Sequence, residues 1–271
     1  MLVPIQTSGH KPPLFFVHGR PGIMPVGPAL SRVLGPGQPL YVFHASGIDG
    51  RGPVIDNVPD MVQAYIADIY RVWPTGPLVI GGMCDGTFGA MEIAQELKKR
   101  GRQVGPLILT SPTLFPPGFV RENQTLDVTE PLLAGQLYRQ VRGSLLDHAN
   151  YSSNELPFDP SDSKQLHAAT LAGVGCLVAF AKHAPTPFAG ASQLIVAAPR
   201  AFAFFHPNMP WPTLLPGLRT CYVLPWDHME MFRAGLQTVA RLIKRFLEDK
   251  PIVEIRPRHA MASARSGTMS R

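Results

Sequence analysis

The sequence predicts an α/β fold in which helices cover both faces of a mostly parallel sheet. Two observations carry this prediction: short, continuous apolar runs recur along the chain, and segments with helical apolar spacing lie between them. Continuous apolar runs are typical of strands that are buried on both faces, as in parallel sheets. The predicted strands cover residues 13–17, 39–43, 78–82, 107–109, 193–198 and 222–224.

The predicted helices lie between these strands. Met61, Tyr65 and Ile69 share one apolar stripe within residues 59–73, and Pro74 ends this helix. Alternation of strands and helices is the pattern of a sheet whose crossover connections are helical. The other predicted helices cover residues 28–34, 87–100 and 229–248.

Residues 1–250 are predicted to form one domain, since a chain of 271 residues can build a single large core. Apolar residues make up 45% and charged residues 16%, a composition that excludes a disordered chain. Residues 116–190 contain helical stretches but no strand signal. An insertion there would lie at the carboxyl ends of the strands, where α/β sheets bind ligands, so we interpret it as a helical lid. Residues 251–271 are predicted to form a basic, flexible tail.

Charge and hydropathy limit the partners of the protein. The formal net charge of +6 favours an anionic partner, but it is modest for nucleic-acid binding, and no nucleic-acid-binding motif accompanies it. No apolar stretch reaches the ~20 residues of a membrane span. Residues 1–4 lack the basic start and long apolar run of a signal peptide. We therefore expect a cytoplasmic protein with no nucleic-acid or membrane partner.

The chain has three cysteines, Cys84, Cys176 and Cys221. An odd, sparse set without CxxC spacing argues against a disulfide framework or a zinc site. Cys176 and Cys221 lie in or next to apolar runs and are expected to be buried, unreactive side chains. Only Cys84 lies within a recognisable motif.

That motif is Gly82-Met83-Cys84-Asp85-Gly86, which follows a predicted strand and opens a predicted helix. A nucleophile between two glycines at such a sharp turn is exposed at the helix N-terminus, where the helix dipole favours a developing anion. The spacing predicts Cys84 as a nucleophile and the backbone N–H of Asp85 as an oxyanion-hole donor. The alternative is a buried cysteine in a tight turn. The Asp85 side chain is expected to cap the helix or to bind a substrate amine.

Two further segments complete the predicted active site. The loop at residues 18–22 follows the first buried strand, where hydrolases with such a turn place a second oxyanion donor. Because Pro21 has no N–H, Arg20 is the expected donor, although a plain turn would have the same composition. His228 follows the last strand and precedes the last helix, which is the chain order expected of a base that serves an upstream nucleophile.

Together these segments resemble the thioesterase domains of nonribosomal peptide and polyketide synthases, which have the α/β-hydrolase fold. The resemblance extends over about residues 12–246. Its most specific part is residues 76–86, Gly-Pro-Leu-Val-Ile-Gly-Gly-Met-Cys-Asp-Gly. Supporting matches lie at residues 13–19, 41–50, 91–94 and 227–228.

The resemblance implies a substrate class and a partner. The substrate would be an acyl, aminoacyl or peptidyl group on the phosphopantetheine arm of a carrier protein. The family hydrolyses, cyclises or transfers that group, and no metal ion or organic cofactor is implied. A basic cluster of Lys98, Lys99, Arg100 and Arg102 is a candidate docking surface for an acidic carrier, with a solvated helix end as the alternative.

Two features depart from the family pattern. Cysteine replaces the usual serine nucleophile, and no Asp or Glu occurs from residue 163 to residue 226, where some members place the triad acid. Many members carry Asp after the strand that follows the elbow helix, and Ser111 falls at about that position. A thiol is more acidic than a hydroxyl and depends less on a well-oriented base. We expect Ser111 or a backbone carbonyl to orient His228, and the side chain of Asp227 to point elsewhere.

The predicted chemistry is acyl transfer through a covalent acyl-Cys84 intermediate, with His228 as the base. An acyl-cysteine is itself a thioester, so the acyl group stays activated. The acyl group can therefore be released by hydrolysis. The two alternatives are transfer to a second thiol or amine, and cyclisation. A further alternative is a catalytically silent relative that binds carrier proteins.

Overall fold

The computed structural model describes residues 1–112, 131–152, 156–198 and 211–248. The predicted tail at 251–271 and parts of the predicted lid, residues 116–130 and 153–155, lie outside these ranges. Whether residues 1–250 form one domain stays a prediction.

Seven strands form a single sheet. They are β1 (Leu2–Gln6), β2 (Leu14–Val17), β3 (Leu40–Phe43), β4 (Leu78–Met83), β5 (Val104–Thr110), β6 (Ser192–Ala197) and β7 (Leu218–Leu224). Their order across the sheet is β1-β3-β2-β4-β5-β6-β7. All neighbouring pairs are parallel except β1 with β3. The predicted mostly parallel sheet is confirmed.

The described helices connect these strands. They are α1 (Gly27–Leu34), α2 (Val58–Val72), α3 (Gly86–Lys99), α4 (Pro131–Ser152), α5 (Ser163–Lys182), α6 (Trp211–Leu214) and α7 (Leu236–Leu247). A short 3-10 helix, Glu230–Phe232, precedes α7.

Strand β2 shows how the sheet is buried on both faces. Phe15 and Val17 belong to the core cluster under α2, α3 and α5, whereas Leu14 and Phe16 belong to the cluster under α1 and α7. Successive side chains of a strand point to opposite faces, so an unbroken apolar run supplies both cores. The prediction of helices on both faces is therefore confirmed.

Four elements differ from the prediction. Strand β1 was missed because it is a short edge strand that contains Pro4, a residue tolerated at sheet edges but unfavourable in strand patterns. Strands β5 and β7 begin earlier than predicted because their first residues are partly exposed and less apolar. The helix predicted at residues 229–248 is broken, since Gly235 separates the 3-10 helix from α7.

The described part of the inserted segment contains two helices, and the second of them is part of the core. In α5, Ala172, Cys176 and Phe180 are buried. A Cβ atom at Gly173 would lie 2.5 Å from the Pro21 carbonyl oxygen and 2.6 Å from a methyl carbon of Val141 in α4. Helix α5 therefore packs directly against the loop at residues 18–22 and against α4.

Helix α5 is also the one described helix that is long and apolar enough to cross a membrane, judged by length and composition alone. Within its most apolar window, 61% of the residues are buried inside the protein, as in a core helix. Its apolar character is thus used in packing against α4, α3 and the loop at residues 18–22.

Candidate active site

Cys84 lies in a sharp turn between β4 and α3. Its φ of 54° is in the left-handed region, which is unfavourable for a residue with a side chain. A Cβ atom at Gly82 would lie 2.6 Å from the Gly86 carbonyl oxygen, and a Cβ atom at Gly86 would overlap the His18 carbonyl oxygen. Both glycines are therefore required by close backbone approach, as the strand–turn–helix motif predicts.

Ser111 lies beside this turn, at the carboxyl end of the neighbouring strand β5. The Cys84 N–H donates to the Thr110 carbonyl over 3.0 Å, which joins the two strand ends. Ser111 has a φ of 44°, and within the described ranges it and Cys84 are the only non-glycine residues with positive φ. Strained backbone of this kind is concentrated at functional sites.

His228 is brought to the same edge of the sheet by the turn after β7. Its Nδ1 lies 2.6 Å from the Oγ of Ser111. The ring packs edge-on against Phe232, with 5.7 Å between ring centroids. The structure thus brings together the predicted base and the predicted orienting group.

Asp227 points away from the imidazole of its neighbour. Its Oδ1 accepts hydrogen bonds from the N–H groups of Met229 and Glu230, each over 2.8 Å. This carboxylate therefore shapes the turn that carries His228, and the expectation that it points elsewhere is confirmed.

Arg20 and Asp85 form an ion pair next to Cys84. The Nε of Arg20 donates to Asp85 Oδ2 over 2.6 Å, and Nη2 donates to Oδ1 over 3.3 Å. The Asp85 side chain is only 3% exposed, whereas that of Arg20 is 37% exposed. Burial lowers the pKa of Arg20, but the Asp85 carboxylate outweighs burial and the net pKa is raised. Asp85 makes no side-chain cap to α3, so the expected helix cap was wrong.

Two backbone N–H groups are available on either side of Cys84. Within the described chain, neither the N–H of Asp85 nor that of Arg20 donates to another protein group. The loop that carries Arg20 lies against the nucleophile, because a Cβ atom at Gly19 would be 2.8 Å from the Cβ of Cys84. Both N–H groups are therefore available to donate a hydrogen bond to a ligand's oxygen, and their role in an oxyanion hole stays a prediction.

The other two cysteines are withdrawn from solvent, Cys176 fully and Cys221 partly. Burial raises the pKa of Cys176 to about 12 and that of Cys221 to about 11. Both therefore stay protonated at neutral pH, in agreement with the prediction that they are unreactive.

A buried histidine that the sequence analysis did not single out, His18, begins the loop at residues 18–22. His18 Nδ1 lies 2.9 Å from the Gly19 carbonyl oxygen, and Nε2 lies 2.7 Å from the Tyr65 hydroxyl. Burial lowers the pKa of His18 to about 4, so the ring is neutral at neutral pH. One signal in the sequence could have indicated this contact. Tyr65 lies on the buried stripe of α2, and a buried tyrosine hydroxyl usually has a hydrogen-bond partner.

A cleft of about 510 Å³ lies at the other end of the strands from Cys84. It is lined in part by Lys11, Gln38, Pro106 and Glu248. These residues lie at the amino ends of the strands, so this cleft is separate from the Cys84 site.

The predicted basic cluster lies at the C-terminal end of α3, at the same end of the strands as this cleft. Helix α3 has 14 residues, which places the cluster about 20 Å from the nucleophile turn. Lys98 lies over the Phe188 ring, Arg100 pairs with Glu96, and Arg102 donates to main-chain carbonyls that include Trp73. Three of its four members thus contact other groups of the chain, which favours a solvated helix end over a docking surface.

A family model described as Thioesterase domain matches residues 13–247 of this chain. The match covers both strand-end motifs and the His228 turn.

Solved structures with the same fold include other thioesterase domains. The NocB thioesterase domain from the nocardicin cluster is 19% identical, with a TM-score of 0.65 over 91% of this chain and 98% of that domain. The surfactin thioesterase domain SrfTE is 17% identical, with a TM-score of 0.62 over 91% of this chain and 95% of that domain. These similarities confirm the predicted α/β-hydrolase fold.

Sequence relatives are much longer proteins. Malpibaldin synthetase of Mortierella alpina is 37% identical over 113 residues, which are 42% of this chain and 2% of that protein. Atromentin synthetase of Serpula lacrymans is 34% identical over 103 residues, 38% of this chain and 11% of that protein. A dimodular nonribosomal peptide synthase of Bacillus subtilis is 32% identical over 134 residues, 49% and 6% respectively. This chain therefore spans a small part of each relative's length.

Proposed function

Because the chain belongs to the thioesterase-domain family, we propose that it processes acyl, aminoacyl or peptidyl thioesters through a covalent acyl-Cys84 intermediate. The thioester would be carried on the phosphopantetheine arm of a carrier protein during nonribosomal peptide or polyketide biosynthesis. No metal ion or organic cofactor takes part in this proposal. We also expect the protein to work in the cytoplasm.

The contact between Ser111 Oγ and His228 Nδ1 carries the proposal. A histidine whose Nδ1–H donates to an oriented partner presents the lone pair of Nε2 to a nucleophile. Cys84 lies at the adjacent strand end, in the strained turn that exposes nucleophiles in this fold. An inert relative would have no need to keep both strained residues together with this contact.

In the first half-reaction, the Cys84 sulfur attacks the carbonyl carbon of the carrier thioester, and His228 Nε2 takes the thiol proton. The carbonyl oxygen becomes an oxyanion, which accepts hydrogen bonds from the N–H groups of Asp85 and Arg20. When the tetrahedral intermediate collapses, the bond to the pantetheine sulfur breaks. The departing thiolate takes the proton from His228, and the acyl group stays on Cys84.

In the second half-reaction, His228 takes a proton from the acceptor, and the acceptor attacks the acyl-Cys84 carbonyl. The carbon–sulfur bond to Cys84 breaks, and the sulfur regains its proton from His228. Water as acceptor gives hydrolysis, a hydroxyl or amine of the acyl chain gives a ring, and an external thiol or amine gives transfer.

Transfer or cyclisation is a serious second function because the nucleophile is cysteine. A serine ester is less activated than the thioester from which it forms, whereas an acyl-cysteine keeps the reactivity of a thioester. A Cys84→Ser variant should therefore still form an acyl-enzyme, but pass the group to an external thiol more slowly.

The test is the intact mass of the protein after mixing with a panel of acyl-pantetheine thioesters. We expect a mass gain equal to the acyl group, absent in Cys84→Ala and present in the matched control Cys221→Ala. Spontaneous decay of the gain identifies a hydrolase. A gain that persists until a thiol or amine is added identifies a transferase, and a ring-sized product identifies a cyclase. If no thioester gives a mass gain and Cys84 is alkylated slowly, the proposal is wrong. The protein would then be a catalytically silent relative that binds carrier proteins.

A further inference from the structure

We propose that His18, held by Tyr65, is a positioning residue for the oxyanion hole: its imidazole fixes the Gly19–Arg20 peptide so that the Arg20 N–H faces the nucleophile. The inference rests on the proposed function, because an oxyanion forms only if an acyl group reaches Cys84. His18 does not touch the acyl group in this arrangement. It acts through the main chain of the loop.

The hydrogen-bond partners of His18 determine where its proton lies. The Gly19 carbonyl can only accept, so Nδ1, at 2.9 Å, carries the hydrogen and donates it. In the neutral ring Nε2 is then an acceptor, and the Tyr65 hydroxyl donates to it over 2.7 Å. The same hydroxyl has a longer contact of 3.3 Å with the His44 carbonyl, which is the weaker alternative for its single hydrogen. Tyr65 thereby selects the tautomer that can hold Gly19.

Holding the Gly19 carbonyl also orients the N–H of Arg20. In a planar trans peptide the carbonyl and the following N–H point in opposite directions, so fixing one fixes the other. The Gly22 N–H donates to the same carbonyl over 2.8 Å, and the two donors together leave it little rotational freedom. The peptide lies beside the nucleophile, since a Cβ atom at Gly19 would touch Cys84.

The surroundings of His18 keep this chain of hydrogen bonds rigid and free of bulk water. His18 is fully buried and Tyr65 is 1% exposed. The Tyr65 ring stacks on Phe43 with 4.3 Å between centroids, and the His18 ring packs against Phe180 of α5. His18 Nε2 also lies 3.9 Å from the Sγ of Cys176, a much weaker hydrogen-bond donor than the Tyr65 hydroxyl. Loss of the Tyr65 hydroxyl therefore removes the strong donor to Nε2 and allows the other tautomer, which cannot donate to Gly19.

The first experiment reads the tautomer directly in the full-length protein, by nitrogen-15 NMR of the histidine side chains at neutral pH. We expect His18 to be protonated on Nδ1 and unprotonated on Nε2. A ring protonated on Nε2 would overturn the proposal. This readout needs no substrate, so it remains decisive even if no thioester acylates Cys84 and the proposed function fails.

The second experiment compares variants by two rates. Acylation by the best thioester of the panel needs the oxyanion hole, whereas alkylation by iodoacetamide needs only the thiolate. We expect Tyr65→Phe to lower the acylation rate about tenfold, less than the ~10²–10³ lost when an oxyanion donor is removed outright. The alkylation rate should stay within about twofold. Tyr70→Phe, a tyrosine on the same helix away from His18, is the matched control.

A pair of substitutions at His18 separates donation to Gly19 from simple packing. The amide nitrogen of Asn can replace Nδ1, whereas that of Gln extends to the position of Nε2. We expect His18→Asn to retain at least about fivefold more acylation activity than His18→Gln, when their thermal unfolding temperatures are similar. Equal acylation rates in the two variants, or a Tyr65→Phe variant as fast as wild type, would overturn the role of His18.

Discussion

The Oγ of Ser111 lies 2.6 Å from the Nδ1 of His228, although 117 residues separate them in the chain. A hydroxyl thus stands where a carboxylate usually supports the histidine of a hydrolase triad. A neutral hydroxyl orients the ring but stabilises the imidazolium less than a carboxylate does. A cysteine nucleophile tolerates this, because its thiol gives up a proton more readily than a serine hydroxyl.

Replacing Ser111 with Ala removes the group that orients His228. We expect acylation of Cys84 to slow about tenfold, a part of the ~10²–10⁴ that a general base contributes in all. Stopped-flow mixing followed by intact mass gives the rate, with Thr110→Ser, at the adjacent position, as the control. An unchanged rate in Ser111→Ala would show that the contact is not used in catalysis.

Replacing Ser111 with Asp supplies the conventional carboxylate. The backbone permits it, since Asp adopts positive φ more readily than most residues and Ser111 has a φ of 44°. A nearby anion favours the protonated imidazole, so the acid limb of the pH–rate profile should move to higher pH by about one unit. An acid limb that does not move would mean that His228 is not the titrating base.

Replacing Arg20 with Met keeps most of the side-chain stem and leaves the buried Asp85 carboxylate without its partner. We expect the free energy of unfolding to fall by about 2 kcal/mol. The uncompensated anion should also disfavour the neighbouring Cys84 thiolate, so that alkylation at neutral pH slows several-fold. Urea titration and the pH dependence of iodoacetamide labelling measure the two effects.

The double variant Arg20→Met with Asp85→Asn is the control for charge. Removing the buried carboxylate should restore much of the lost labelling rate, since the thiolate no longer faces an unpaired anion. Labelling that stays slow in the double variant would show that Arg20 acts by another route than neutralising Asp85.

Replacing Gly173 with Ala tests the packing of α5 against the oxyanion loop. The added methyl group would press on the Pro21 carbonyl and on Val141, so we expect a loss of about 1–2 kcal/mol in the free energy of unfolding. In α4, Gly143 has no atom within 4 Å of an added Cβ, and Gly143→Ala should stabilise by about 0.5–1 kcal/mol. Equal effects of the two substitutions in thermal unfolding would contradict the close packing.

Glu92 ties α3 to the segment that follows α5. Its Oε1 accepts from His183 Nε2 over 3.2 Å and from the Thr186 N–H over 3.0 Å. Burial raises the pKa of Glu92, but the hydrogen bonds from His183 and Thr186 outweigh it, and the net pKa lies below the ordinary value of 4.5.

A folded-state pKa below the unfolded one gives stability that is present above about pH 4.5 and is lost as the pH falls through the folded value. We expect Glu92→Gln to be less stable than wild type by about 1 kcal/mol at pH 7, and the difference to shrink towards pH 3. Urea unfolding of both proteins at each pH isolates this group from the other carboxyls. A difference that is the same at pH 3 and pH 7 would rule out the charge as its source.

Local patterns gave some parts of the site and missed others. Cys84 was predicted because its motif is contiguous, whereas Ser111 was predicted because it falls at about the position where many members of the resembled family carry Asp. The Asp85 side chain was expected to cap the helix or to bind a substrate amine, because the sequence alone does not show which distant residue lies beside it. Arg20, 65 residues away, is the partner that the fold supplies.

The sequence by itself determined the alternation of buried strands and amphipathic helices, the glycine-flanked turn at Cys84 and the order of Cys84 and His228 along the chain. These features depend on residues that are close together in the chain, because apolar periodicity and steric limits act over a few residues. Only the tertiary structure decided which polar groups meet: Ser111 with His228, Arg20 with Asp85, and His18 with Tyr65. Those pairs lie 117, 65 and 47 residues apart. Strand order and side-chain packing determine whether the two members of each pair meet. Neither can be read from the periodicity of apolar residues in the sequence.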